Sequence, residues 1–437
     1  MALLHCRLAG LRNLSRGRRS FTTTPSRLAT QVKTAQQLPF PKIKSKWDEE
    51  PVSMYRQGGF HPTRLGDKIG DRYLVVRKLG WDVYYTVWLA KDLSTDRHVA
   101  LKILEDSCYS GKPELLELSI LRHIKTADPS HPGHSRILHM LDNFEHRGPN
   151  GKHVCMTFEP MGHDTLVLSN KLEDYQLPVG AVQELARQLF QALDYLHTRC
   201  GVIHTIDLKP RNILMDINDT EKVIRDYLLA TQARGIQVQS RDCHLVRSEY
   251  IPTELPQYPN QFRFKLTGFV VSCWVDKHLV EWIQPAALRA PEVILGADWG
   301  PSVDLWNAAC IFYELVTGDI LFGGVALNAN EQDLDTPDAK EHHIAQMIAL
   351  FGPLPEDLVR EGRNRLDYLG SDGKMATSRV IMPRSLAGKI KGFRPDMTDE
   401  EVETFESFLL KMLKYRPRDR KTAAEMLKDP WVRVPWE

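Results

Sequence analysis

The 437-residue sequence has few of the features that mark membrane-spanning, disulfide-linked or nucleic-acid-binding proteins. Its seven cysteines are scattered without a C-x-x-C pair, so neither a disulfide framework nor a zinc site is indicated. No apolar run approaches the roughly 18 residues that a membrane-spanning helix needs, which predicts no membrane insertion. The formal net charge is only +1, so nucleic acid is not expected as a main partner.

Acidic residues are missing from the first part of the chain. Residues 1–47 hold ten Lys or Arg and no acid before Asp48, which leaves 47 basic and 56 acidic residues, or about −9, in the remainder. Leucines recur here at helical spacing among the arginines, and a Ser/Thr-rich run follows at 20–24. This composition predicts a presequence and a mitochondrial location. The alternative is a disordered basic tail on a cytoplasmic or nuclear protein.

The remaining sequence changes its periodicity once. Residues 48–72 contain several Pro and Gly and predict a linker. Short β-rich runs at 73–78, 86–91, 98–104, 137–141 and 153–158 predict an antiparallel meander, with one helix over 112–124. Beyond Gly162 the period is helical, as in 181–197, and the almost wholly apolar segment 302–317 predicts a buried helix ended by Gly318.

These patterns predict an α+β fold with two lobes within residues 73–435. The small lobe, 73–161, is an antiparallel sheet with one main helix, and the larger lobe, 162–435, is mostly helical. Residues 216–262 have mixed charge and several turn residues, which indicates an insertion.

Short motifs follow one another in a fixed order through both lobes. They are Leu79-Gly80, Val99-Ala100-Leu101-Lys102, Glu117, residues 204–212, residues 266–270 and Ala290-Pro291-Glu292. In this order they resemble the signature set of the eukaryotic protein kinases. Three further segments are similar to the SR-protein-specific kinase (SRPK) family, especially its fungal members: Gly59-Phe60-His61-Pro62, residues 86–92, and residues 274–278 followed by Ile283-Gln284. The resemblance covers about residues 50–435.

The resemblance implies a serine/threonine kinase that binds ATP, acts as a monomer and recognises a protein partner, Ser/Arg-rich by family. Asp207 would be the catalytic base, Lys209 would approach the γ-phosphate, and Asn212 would bind a magnesium ion. Lys102 would contact the α- and β-phosphates, with its ammonium fixed by Glu117. The full set implied to bind ATP is Gly80, Val87, Ala100, Lys102, Glu117, Glu159, Met161 and Leu214.

The metal site departs from the family pattern. Gly268 stands where the family has its metal-binding Asp, and Val270 replaces a glycine of the same motif. Asn212 is then the one side-chain ligand left. Mg²⁺ is usually held through one or two carboxylates plus phosphate, so this site should hold it poorly.

Two loops depart as well. The glycine-rich loop keeps only Gly80 of its three glycines, and Asp82 either adds negative charge near the phosphates, weakening ATP binding, or points to solvent. Ile206 lengthens the usual His-to-Asp spacing by one residue, so either His204 leaves its core position or Asp207 is displaced. A displacement of about 1 Å can cost on the order of a hundredfold in rate.

Two functions therefore stay open from the sequence. One is an SRPK-like kinase with impaired phosphotransfer, and the other is a pseudokinase that serves as a protein-binding scaffold.

The N-terminal composition generates a first prediction. A fluorescent reporter fused to residues 1–47 should be imported into mitochondria, because a basic, acid-free segment with leucines on one helical face is what import recognises. The matched control replaces Arg7, Arg12, Arg16, Arg18 and Arg19 by Gln and should stay in the cytosol. Cytosolic fluorescence from the unmodified fusion would contradict the assignment.

Overall fold

The computed structural model describes residues 49–108, 116–232, 245–278, 280–323, 336–370, 375 and 382–433. The predicted presequence in residues 1–47 lies outside these residues, as do the start of the predicted helix over 112–124 and residues 233–244 of the predicted insertion. Within the described part of the chain, no helix combines the length and apolar character needed to cross a bilayer.

The small lobe is a six-stranded sheet in which every neighbouring pair is antiparallel. The strands lie in the order β1-β2-β3-β4-β6-β5. Their bounds are β1 (Lys68–Ile69), β2 (Tyr73–Asp82), β3 (Tyr85–Asp92), β4 (Arg97–Leu104), β5 (Met140–Gly148) and β6 (Gly151–Phe158). Helix α1 (Glu117–Thr126) buries Ile120, Leu121 and Ile124 at helical spacing.

One strand begins later than its sequence predicts. The run 137–141 was expected to be a strand, but β5 starts at Met140. Ile137 and Leu138 instead pair with Leu266 of the large lobe, where the Leu138 N–H donates to the Leu266 carbonyl oxygen at 2.9 Å. A mostly apolar run is thus divided between two sheets, and local propensity does not determine where the division falls.

The described part of the predicted linker packs against the small lobe. Phe60 is 1% exposed, and His61 and Thr63 are buried beside it. The fully buried ammonium of Lys78 forms ion pairs with Glu49, at 2.8 Å, and with Glu50. A buried cation needs such partners, so residues 49–50 are tied to the sheet.

The large lobe is mostly helical and surrounds α6 (Ser302–Thr317), in which every residue from Val303 to Thr317 is buried. As predicted, Gly318 ends this helix in a left-handed conformation, with φ of 71°. The other helices are α2 (Thr165–Asn170), α3 (Val179–Tyr195), α4 (Thr220–Ala230), α5 (Pro291–Leu295), α7 (Pro337–Phe351), α8 (Glu356–Glu361), α9 (Leu386–Phe393), α10 (Asp399–Leu410) and α11 (Ala423–Met426).

Two short strand pairs place the loops that matter for function. β7 (Val202–Ile203) pairs with β10 (Cys273–Trp274), and β8 (Ile213–Met215) pairs with β9 (Phe264–Leu266). The segment between β8 and β9 contains α4. The strand pairs hold residues 204–212 next to residues 267–272, so the two catalytic motifs of the sequence meet at one edge of the large lobe.

A buried ion pair joins α5 to the segment before α11. The two terminal guanidinium nitrogens of Arg420 each donate to one carboxylate oxygen of Glu292 at 2.6 Å, and both side chains are fully buried. Arg420 also donates to the carbonyl oxygens of Lys414 and Ser302. One side chain therefore ties together three segments of the large lobe.

Removing this cation generates a second prediction. Arg420→Met should lower the free energy of unfolding by about 3–5 kcal/mol, because it leaves the buried Glu292 carboxylate without its partner. Arg418→Met is the matched control: its side chain is 71% exposed and pairs with Asp357, so it should cost about 0–1 kcal/mol. Urea denaturation of both variants measures the difference, and equal losses would contradict the role of the buried pair.

Candidate active site

Lys102 and Glu117 meet between β4 and α1. The Lys102 Nζ lies 2.5 Å from the Glu117 Oε1, and the two side chains are only 8% and 2% exposed. The ring of Tyr85 covers the same ammonium, with Nζ 3.9 Å from the ring centroid. The cation that the sequence assigned to the α- and β-phosphates is thus held by a carboxylate and an aromatic face.

The turn that leads to Asp207 begins at Thr205. Thr205 adopts a left-handed φ of 61°, unusual for a β-branched residue, and a 3₁₀ turn spans Thr205–Asp207. The backbone N–H groups of His204 and Thr205 each donate to a carboxylate oxygen of Asp304 at 2.9 Å. The Thr205 hydroxyl donates to the Val271 carbonyl oxygen at 2.8 Å, which holds the turn from the other side.

His204 keeps a fully buried position despite the insertion. Its Nε2 donates to the Thr267 carbonyl oxygen at 2.9 Å, and its ring packs edge-on against Phe269 at 5.0 Å. Burial lowers the pKa of His204, so the neutral form is favoured. Of the two outcomes expected from the lengthened spacing, the departure of His204 from the core is the one that does not occur.

Asp207, Lys209 and Asn212 come together as one cluster. The Lys209 Nζ lies 2.5 Å from the Asp207 Oδ1. The side-chain amide nitrogen of Asn212 donates both to the Asp207 Oδ2 and to its backbone carbonyl oxygen, each at 2.7 Å. Each carboxylate oxygen of the expected base is therefore already engaged by a neighbour.

The residues at the expected metal position do not fit Mg²⁺. Gly268 has a φ of +90°, and a Cβ added there would lie 2.3 Å from the Asn212 amide nitrogen. The Asn212 amide nitrogen donates to Asp207, which leaves the neutral amide oxygen of Asn212 for a metal ion, and residue 268 supplies no carboxylate to join it. Mg²⁺ is usually held through one or two carboxylates plus phosphate, so this arrangement fits it poorly.

The glycine-rich loop is a tight hairpin that reaches the catalytic loop. Asp82 and Tyr85 are directly opposed across β2 and β3, with Val83 and Tyr84 as the two-residue turn. The Asp82 Oδ1 accepts from the Val83 N–H at 2.6 Å, while its Oδ2 lies 3.8 Å from the Lys209 Nζ. Of the two orientations that the sequence left open for the Asp82 side chain, the structure therefore shows the one toward the cleft and not the one toward solvent.

The electrostatics of Lys209 follow from these contacts. Burial disfavours its charged form, but the nearby carboxylates of Asp207 and Asp82 outweigh burial and raise the pKa of the ammonium. Lys209 is therefore a cation with two anionic neighbours.

The side of the cleft expected to take adenine is less crowded. Ala100 and Met161 are buried, Val87 and Leu214 are half-buried, and a Cβ added at Gly80 would meet nothing within 4 Å. The Glu159 carboxylate forms an ion pair with Lys265 of β9.

Two residues of the site were not singled out from the sequence. Lys265 carries no recognisable signal, because its partner Glu159 is far away in the chain. The position of Tyr85 could have been recognised from the sequence. Tyr85 follows Asp82 by three residues, and a two-residue hairpin loop places residues at that spacing opposite each other.

The fold and the order of the site residues define a protein kinase. Residues 73–263 and 255–432 match the family model of the protein kinase domain. A crystal structure of a kinase domain superposes with a TM-score of 0.61 at 22% sequence identity, covering 85% of this chain and 98% of that chain. The predicted two-lobed kinase fold is confirmed.

The chain belongs to the SRPK family of serine/threonine protein kinases. It is 32% identical over 404 residues to the serine/threonine-protein kinase SRPK of Physarum polycephalum, covering 88% of this chain and 91% of that protein. It is 30% identical to protein kinase dsk1 of Schizosaccharomyces pombe, covering 89% and 86% of the two chains. For SRSF protein kinase 3 of Homo sapiens the identity is 27%, with coverage of 88% and 90%. The family recognised from the motifs is confirmed.

The contact between Gly268 and Asn212 generates a third prediction. Gly268→Ala should destabilise the protein by about 1–3 kcal/mol, because alanine is strained at this φ and its Cβ must push the Asn212 amide off Asp207. Gly80→Ala is the matched control, since its Cβ enters open space. Unfolding free energies of the two variants test this. A Gly268→Ala variant as stable as Gly80→Ala would show that the amide does not fill the position.

Proposed function

We propose that this SRPK-family chain transfers phosphate from ATP to Ser or Thr of proteins at no more than a background rate. The observation that carries the proposal is at Gly268, which supplies no carboxylate for a metal ion and where the Asn212 amide nitrogen lies 2.3 Å from the position that a Cβ would take. Phosphoryl transfer depends on positioning and on charge neutralisation by metal ions, with little covalent help from the protein. A site that does not fit Mg²⁺ lacks the largest of these contributions.

The contacts that hold the fold are nevertheless formed, and they favour a second function. The Lys102–Glu117 pair joins the sheet to its helix, and the Glu292–Arg420 pair joins segments of the large lobe. A chain that keeps its framework while its metal position is filled suits a pseudokinase that binds a protein partner.

Family membership and charge suggest which partner such a scaffold would bind. The SRPK family points to Ser/Arg-rich proteins, and the charge of about −9 over residues 48–437 is complementary to an arginine-rich segment. Binding of this kind needs no phosphotransfer.

The proposed function generates a fourth prediction. ATP binding by the unmodified protein should be nearly the same with Mg²⁺ and with EDTA, because no carboxylate at residue 268 supports the ion. The Gly268→Asp, Val270→Gly double variant supplies that carboxylate, with at least the loss of stability expected for Gly268→Ala, and should gain magnesium-dependent ATP binding. Calorimetric titration measures both. Phosphate transfer to an Arg-Ser repeat peptide should not exceed that of Asp207→Asn.

The scaffold function has its own readout in the same experiment. The unmodified protein and Asp207→Asn should bind the Arg-Ser peptide equally well, with or without ATP. Robust magnesium-dependent phosphorylation by the unmodified protein, abolished in Asp207→Asn, would overturn the proposed loss of activity.

A further inference from the structure

We propose that the cleft binds adenosine or its monophosphate in preference to ATP, because Asp82 and Tyr85 of this chain occupy the place of the outer phosphates. The inference rests on the proposed function, in which no metal-assisted phosphotransfer takes place, and it names the ligand class of the same site.

The register of the sheet puts both residues on the cleft face. Asp82 is directly opposite Tyr85, and Val87 is opposite both Gly80 and Lys102. Directly opposed residues project from one face of an antiparallel pair, and residues two apart on a strand share that face. Lys102 identifies it as the face toward α1 and the cleft, since its ammonium meets Glu117 there.

Tyr85 closes the phosphate side around Lys102. Its ring lies against the Lys102 ammonium, and burial, followed by the nearby carboxylates of Asp82, Asp207 and Glu117, raises its pKa. The side chain therefore lies in the space bounded by the small-lobe ion pair and the catalytic cluster. In the general protein kinase pattern G-x-G-x-x-G, a glycine without a side chain stands at this position.

The Asp82 carboxylate lies near the Lys209 ammonium, which the family resemblance assigns to the γ-phosphate. With Asp207 at 2.5 Å and Asp82 at 3.8 Å, this cation already has two carboxylate partners from opposite sides of the cleft. An incoming γ-phosphate would have to displace one of them.

The net charge of the side chains on the phosphate side of the cleft disfavours binding of a polyanion. Two cations face three carboxylates, which leaves a net charge of −1 on the phosphate side: Lys102 and Lys209 against Asp82, Glu117 and Asp207. Since the site does not fit Mg²⁺, a triphosphate would add its full charge to this surplus, and like charges in a partly buried site repel strongly. A neutral nucleoside meets no such repulsion.

The adenine side keeps room and hydrogen-bonding capacity. A Cβ at Gly80 would meet nothing within 4 Å, which leaves space beside Val87. Among the described residues, the backbone N–H of Met161 makes no hydrogen bond and is available to an acceptor on a base. The chain therefore leaves space at Gly80 and a free donor at Met161 on the adenine side, whereas Asp82 and Tyr85 lie on the phosphate side.

The test is a calorimetric titration of the full chain in EDTA with adenosine, AMP, ADP and ATP. Adenosine and AMP should bind at least about tenfold more tightly than ATP, a difference worth about 1.4 kcal/mol. Asp82→Asn, which is nearly isosteric, and Tyr85→Ala should each tighten ATP binding and leave adenosine binding unchanged. The matched controls are Asp96→Asn, with a 94% exposed side chain, and Tyr84→Ala in the same hairpin turn, and neither should change the preference.

Three results would overturn the inference: ATP binding in EDTA as tight as adenosine, no adenosine binding at all, or an unchanged preference in Asp82→Asn. A variant that still binds adenosine with unchanged affinity is folded. If Tyr85→Ala no longer binds adenosine, the inference is judged from the preference measured with Asp82→Asn. The proposed function fails separately, through magnesium-dependent phosphotransfer by the unmodified protein. A preference for adenosine in EDTA would survive that result, so the two failures are distinguishable.

Discussion

The arrangement of the catalytic loop depends on one buried carboxylate, that of Asp304 on α6. It accepts hydrogen bonds from the backbone N–H groups of His204 and Thr205 and lies 2.9 Å from the His197 Nε2. Because α6 is buried along almost its whole length, Asp304 is a fixed acceptor to which the loop must conform. Thr205, which has a left-handed φ, is held by this carboxylate through its N–H, and His204 stays in the core.

The same principle, that a buried charge needs a partner, explains why the lysines of the cleft are paired with carboxylates. A kinase cleft that awaits nucleotide presents cations to phosphate, and a cation left without an anion in a partly buried site is costly. Here Lys102 and Lys209 have carboxylate partners within the chain. Asp82 and Tyr85 add to these pairs, because the Asp82 carboxylate lies 3.8 Å from the Lys209 Nζ and the Tyr85 ring covers the Lys102 ammonium.

How far the sequence could predict this site differs from residue to residue. Lys102 and Glu117 follow from motif spacing, and the Gly318 helix end follows from the conformational freedom of glycine. The pairing of Lys209 with Asp82 could not be predicted, because the two residues come from different lobes and only the closure of those lobes sets their distance. For the same reason the division of 137–141 between two sheets was missed, since Leu266 competes for that run from far along the chain.

By itself the sequence determined the family, the two-lobed α+β fold and the presence of glycine at position 268, because motif order, periodicity and residue identity are local properties. Only the tertiary structure decided which distant side chains pair with one another. That Asn212 turns its donor toward Asp207, that Tyr85 covers Lys102, and that Glu49 and Glu50 neutralise a fully buried Lys78 are all pairings between distant segments. Such pairings follow from the requirement that every buried polar group find a partner, and the fold alone determines which partners are within reach.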